Sequence, residues 1–291
     1  MQQQYRGIKL INITLLILSG FFISGAHFIG KFAMKKGVQP TSYNYGINIV
    51  MLFLIIPFTL FFNFEIQTPI GLTVIILIIL ASIARWVNLF GLVNGINKTS
   101  PLEMTSFASV SIVLTYFIDV MLNTVTLNLL SILFLIVIII SSYYMTIKVR
   151  GIPRIKTIVL AYVITNVLRG YTTHFSLNYM SEIAFAFIIA LLSFLFFLAL
   201  TPKLKPGFRS VKFGFLAQGF GIINFVALIY LAGNSTTLYM LAFPVRLAMT
   251  ILLSFFIKKV QSKELDPDYI HKIIASIIIL ISATGYVISQ I

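Results

Sequence analysis

The sequence contains no cysteine. Disulfides, thiolate metal sites and cysteine nucleophiles are therefore excluded, although the compartment is left open. Its three histidines, His27, His174 and His271, are too few and too scattered for a multi-histidine metal cluster. Acids are scarce: 7 Asp and Glu stand against 21 Lys and Arg, for a net charge of +14 over 291 residues. There is no HExxH, no pair of carboxylates inside an apolar run and no Ser/His/Asp set at a recognisable spacing. An integral-membrane enzyme is thus the least favoured class, and no cofactor is expected.

What is abundant is apolar surface. Hydrophobic residues make up 59% of the chain and charged residues only 10%, with a mean hydropathy of +1.03. That balance belongs to a polytopic membrane protein. In a soluble protein +14 would suggest nucleic acid; here it is better explained by basic residues gathered in cytoplasmic loops. The N-terminal MQQQYRGIKLINIT leads into an apolar run without a small-residue cleavage site, so it reads as a retained first span.

Apolar segments fall at residues 10–34, 42–63, 70–95, 101–122, 127–147, 156–177, 181–201, 212–232, 235–258 and 270–290. This predicts an all-α protein of ten transmembrane helices with short loops, and an even number puts both termini on one side. The loops after helices 1, 3, 5, 7 and 9 hold 15 basic residues, from Lys35 and Lys36 to Lys263 and Lys272, whereas the opposite side holds only Arg6 and Lys9. By the positive-inside rule the fifteen face the cytoplasm and the termini face out. Lys31, Arg85, Arg169 and Arg246 are left inside spans.

Residues 98–114, KTSPLEMTSFASVSIVL, align with residues 233–249, GNSTTLYMLAFPVRLAM, at an offset that sets Ser109-Val110-Ser111 on Pro244-Val245-Arg246. A weaker match sets 35–46 on 176–187. Two halves of five helices each must insert with opposite orientations. The expected organisation is therefore two inverted five-helix repeats, 1–150 and 151–291, with a site at the midplane between them.

That layout, the two small-polar openings of helices 4 and 9, the Lys263-Glu264 loop and Gly285 in the last span together resemble the drug/metabolite transporter superfamily, EamA type. The first half departs from the pattern. VMLNTVTLNLL has no Lys-Glu, and TSYNYGINI stands where the family has an arginine opening helix 2. The resemblance implies a secondary carrier or exporter of small metabolites in the cell membrane. Its partners would be a small-molecule substrate and membrane lipids, with monomer and homodimer both open.

Candidate site residues follow from the charges that the loops do not explain. Within the span 234–259, Arg246 is roughly 17 Å from either end at about 1.5 Å per residue, too far to snorkel to water. An intramembrane charge at such depth marks a functional position. Pro244 beside it removes a backbone donor and is expected to bend the helix. The alternative is that Arg246 caps broken carbonyls or pairs with a buried acid.

Helix 1 adds His27 and Lys31, on one face at i, i+4. Helix 3 adds Arg85, Trp86 and Asn88, and helix 6 adds Arg169 and His174. Helix 8 adds Gln218 and Asn224, and helix 9 adds Tyr239. Few acids are placed to neutralise the arginines. Glu103 fits a capping box with Ser100 and Pro101, while Asp119 and Glu182, near helix ends, are expected to face water. The expected cavity is electropositive and suited to an anionic or zwitterionic metabolite, because arginine's planar fork matches carboxylates and phosphates. The small multidrug-resistance relatives of the family that the chain resembles bind cations through a glutamate in helix 1; helix 1 here has no acid, which argues against a proton-coupled exporter of cationic drugs. A lipid-phosphate flippase on the same scaffold is the second reading.

Overall fold

The computed structural model describes residues 2–67, 69–98, 101–150, 157–200, 207–260 and 268–290. These form ten helices: α1 (Gln2–Lys35), α2 (Pro40–Phe61), α3 (Leu72–Lys98), α4 (Pro101–Met121), α5 (Leu129–Arg150), α6 (Thr157–Ser176), α7 (Glu182–Leu200), α8 (Phe208–Asn234), α9 (Thr236–Val260) and α10 (Asp268–Ser289). Apart from short turns and one isolated bridge, the described residues are helical. Six helices, α1, α2 and α7 to α10, are long and apolar enough to cross a membrane; shorter apolar stretches occupy Leu72–Asn88, Ser109–Met121 and Leu129–Met145. The Lys263-Glu264 loop, Ser100 of the capping box and the loop residues Arg154, Lys156, Lys203 and Lys205 lie outside the described residues, as does the side chain of Glu103.

The helix ends follow from local sequence. After α1, the Gly37 N–H donates to the Met34 carbonyl at 3.0 Å and the Val38 N–H to the Ala33 carbonyl at 3.1 Å. This pair of bonds requires the left-handed conformation at Gly37, where φ is 81°. Pro40 then opens α2, where its missing N–H costs nothing. Ser235 caps α9 by accepting the Leu238 N–H at 3.0 Å, and Asn128 caps α5 by accepting the Leu130 N–H at 2.9 Å. Each such cap contributes about 1 kcal/mol.

Both termini lie at one end of the bundle, as the even helix count requires. Lys9 Nζ donates to the Ile288 carbonyl at 3.3 Å, and Asn128 Nδ2 to the Ser289 carbonyl at 2.8 Å. At the C-terminal ends of α2 and α6 the connecting loops pair edge to edge. The Gln67 N–H donates to the Tyr179 carbonyl at 2.9 Å, and the Ser181 N–H to the Glu65 carbonyl at 3.0 Å, around an isolated bridge between Ile66 and Met180.

Helix α9 is the axis of the bundle. It packs against α1, α4, α6, α8 and α10, and every residue from Ser235 to Val245 is buried. A helix apolar on all sides is stable only in such a position or in lipid. It runs unbroken through Pro244. Around it, α1 lies on α8, α3 on α6 and α7, α2 on α7 and α8, and α5 on α10.

The crossing of α2 and α8 is a backbone contact. A Cβ on Gly214 would sit 2.7 Å from the Gly46 carbonyl carbon, and one on Gly46 would run into the Ser210 carbonyl oxygen. Only glycine at both positions permits that approach. The outer surface is the reverse of a soluble protein's. Phe53, Leu60, Phe61, Leu114 and Ile140 are among the many large apolar side chains exposed on it, a surface that suits lipid rather than water.

Candidate functional site

Four helices turn polar residues toward α9. On α3 the buried positions Ile78, Ala81, Ser82, Arg85 and Asn88 recur at three- and four-residue intervals, so the periodicity that buries the alanines also buries the guanidinium. On α8 the same spacing aligns Gln218, Gly221, Ile222, Phe225 and Ala232. Arg169 of α6 is half-buried, while Arg85 is only 4% exposed.

Two of the arginines share one ring. The guanidinium carbon of Arg85 lies 4.2 Å from the centroid of Phe225, and that of Arg169 lies 5.6 Å from it. The third, Arg246, lies 4.9 Å from the Phe243 centroid. Phe243 in turn meets Tyr239 edge to face at 5.7 Å. Tyr239, 1% exposed, is within electrostatic reach of all three guanidiniums.

The polar atoms of this cluster are under-satisfied. The Tyr239 hydroxyl and the Nε atoms of Arg85 and Arg246 are buried without a hydrogen-bond partner. Among the described residues no carboxylate comes within 4.0 Å of any of the three guanidiniums. Each orphaned buried polar group costs about 1–3 kcal/mol, and removing a cation from water costs several kcal/mol more. A cation–π contact returns about 0.5–2 kcal/mol. The cluster is therefore short of negative charge, and an anion placed among these side chains would supply it. Arg246 has neither of the two structural partners considered for it, a broken helix carbonyl or a described acid.

Arg169, Thr173 and Tyr239 line one side of a cleft whose other walls include Phe185, Ile189, Phe225 and Leu228. The walls close on one another and leave no water-sized space between them. Thr173 Oγ1 donates back to the Arg169 carbonyl at 2.7 Å. On the far side of α9, His27 is an electrostatic neighbour of Arg246, and its Nε2 is buried without a partner. One turn before it, Ser24 Oγ contacts both the Arg246 carbonyl, at 3.3 Å, and Thr250 Oγ1, at 2.8 Å.

The expected site residues thus divide. Arg85, Arg169, Arg246 and Tyr239 come together, with His27 beside Arg246 and Asn88 one turn beyond Arg85 on the same stripe. Trp86, next to Arg85 in sequence, is half-buried. Other residues are committed elsewhere. Asn224 accepts a bond from Ser19 Oγ at 2.7 Å and ties α8 to α1. His174 bonds through Nδ1 to the Ala232 carbonyl at 2.9 Å, tying α6 to α8. Gln218 folds over Gly221 on its own helix. Lys31 shares the spacing of His27 but stands exposed.

Asp119 does not face water. It is 1% exposed, and its Oδ2 accepts the Thr237 backbone N–H at 2.7 Å. The carboxylate sits at the positive end of α9, where the first-turn amides have no helical partner. It is therefore occupied by the backbone rather than by an arginine. Phe225, Phe243 and the α7 pair Phe185 and Ile189 were not foreseen. Only Phe225 carried a signal, lying seven residues beyond Gln218 on the same stripe.

A comparison of the sequence with family models and with curated proteins finds no match.

Proposed function

We propose that the chain is a secondary transporter of a small anionic or zwitterionic metabolite in the cell membrane, working by alternating access around the arginine cluster. One observation carries this reading: three guanidiniums gathered around Tyr239, Phe225 and Phe243, Arg85 buried and Arg169 and Arg246 half-buried, with no described carboxylate to neutralise them. A protein that only needed a stable core would gain by replacing them with apolar side chains. A protein that must bind and release an anion needs the unpaired charge.

The frame favours the same reading. Adding five to each helix number turns the pair α1 and α8 into α6 and α3, α2 and α8 into α7 and α3, α1 and α9 into α6 and α4, and α9 and α10 into α4 and α5, and all of these pairs are packed. That exchange is what two inverted five-helix repeats would produce. The offset of the sequence match also carries the first residue of α4, Pro101, onto the first residue of α9, Thr236. Arg246 would then correspond to Ser111, a charge added to one half of a repeated frame.

The test is flux. In proteoliposomes the protein should move a radiolabelled anion drawn from a metabolite panel, and Arg246→Ala should abolish the movement while leaving the protein folded. Normal transport by that variant would overturn the site.

A further inference from the structure

We propose that the ligand is a monocarboxylate with an apolar body and no ammonium group, held by its head at Arg169 in the cleft that α7 closes. This rests on the transporter reading above and narrows it.

The number of charges comes from the cleft. Of the three arginines only Arg169 lines it. Arg85 lies nearer to the ring of Phe225 than Arg169 does, and Arg246 lies on Phe243. One guanidinium fork meets one carboxylate. The Tyr239 hydroxyl, buried and without a partner on the same wall, supplies a further donor for a carboxylate oxygen. Thr173 cannot add another while its proton is given to the Arg169 carbonyl. That set matches one carboxylate and falls short of the three oxygens and double charge of a phosphate ester.

The shape and sign of the rest of the ligand follow from the other walls. Phe185, Ile189 and Leu228 offer no hydrogen bond, so a polar body such as a sugar would lose its hydration without replacement. Among the described residues no acid lines the cleft. An α-ammonium group would therefore sit beside guanidiniums with nothing opposite it, and the neighbouring charges of Arg85 and Arg246 deepen that penalty. The cleft leaves no water-sized space in this state, so the ligand-bound form has α7 drawn back from α8.

The experiment is isothermal titration of the purified protein in nanodiscs with five probes: 3-phenylpropionate, phenylalanine, acetate, succinate and glucose 6-phosphate. 3-Phenylpropionate should bind at least about tenfold more tightly than each of the others, roughly the effect of one well-placed interaction. Arg169→Gln should weaken it by about tenfold or more, and Arg169→Lys, which keeps the charge but loses the fork, should weaken it too. Ile189→Asn should remove most of the advantage of 3-phenylpropionate over acetate.

If phenylalanine binds as well as 3-phenylpropionate, or if succinate or glucose 6-phosphate binds more tightly, the inference falls while an anion carrier stands. The same holds if Ile189→Asn leaves the preference intact. If no probe binds, the inference falls; if proteoliposomes also move no anion of the metabolite panel, the carrier reading falls with it.

Discussion

Asp119 Oδ2 accepts the backbone N–H of Thr237 at 2.7 Å, joining the last turn of α4 to the first turn of α9. The carboxylate is buried, so the bond is made away from competing water and is aided by the helix dipole. A hydrogen bond to a charged group is worth about 1.5–3 kcal/mol. Asp119→Ala should therefore lower stability by about 2–3 kcal/mol, and Asp119→Asn, which keeps an acceptor but not the charge, by about half as much. Thermal melts in detergent, read through the single Trp86, would show this. Equal melting of Asp119→Ala and the parent would mean the carboxylate is better solvated than its burial indicates.

The meeting of Gly46 and Gly214 makes a sharper contrast. At this crossing any Cβ meets backbone, which cannot rotate away. Gly214→Ala should force α2 from α8 and cost about 1–3 kcal/mol, the usual penalty for overpacking. Five residues on, Gly219 on the same helix has nothing within 4 Å of its Cβ position. There the substitution to alanine should be neutral or stabilising by about 0.5–1 kcal/mol, because helix-interior glycine carries an entropic cost. If both variants melt alike, the α2–α8 approach is looser than described.

Much of this arrangement was legible in the sequence, and the rest was hidden for identifiable reasons. Helix positions follow from long apolar runs, and the turn at KKGVQP from glycine and proline chemistry. The arginines were legible because a charge inside an apolar run has no bland explanation. Phe225 was not, since it is one of 27 phenylalanines and its role depends on which cations lie against its ring. α7 contributes Phe185 and Ile189, yet it is so uniformly apolar that nothing marks a binding face. Asp119 was misplaced because its partner is a backbone amide 118 residues away, invisible to any residue pattern. Lys31 shows the limit of spacing: i, i+4 puts it on the face of His27 but does not say where α1 leaves the bundle.

The shared ring of Phe225 predicts opposite signs for stability and binding. Arg85→Met removes a buried cation without a described partner and keeps most of the volume, so the unliganded protein should melt higher by about 1–4 kcal/mol equivalent. The same variant should lose part of the stabilisation that an anion at Arg169 confers, because a neighbouring positive charge is gone. Phe225→Leu removes the ring face from both guanidiniums and should cost about 2–3 kcal/mol. In the double variant the cost should be smaller than that of Phe225→Leu alone in the parent, because one of the cations that needed the ring is gone. A destabilised Arg85→Met would show that stacking outweighs desolvation at this site.

Orientation can be tested directly because the chain has no cysteine of its own. The loop after α2 carries Gln67 and the turn after α1 carries Lys36, both exposed and separated by the full length of α2. Gln67 is at the end that holds the termini, since its own N–H pairs with the α6–α7 loop. The excess of basic residues predicts that the Lys36 end faces the cytoplasm. In intact cells a membrane-impermeant maleimide should label Gln67→Cys and spare Lys36→Cys until the membrane is permeabilised. Neither substitution removes a buried side chain or a side-chain capping bond, so both proteins should fold. The reverse labelling pattern would place the termini in the cytoplasm, and the edge-paired loops at residues 65–67 and 179–181 would then close the inward rather than the outward end of the arginine cluster.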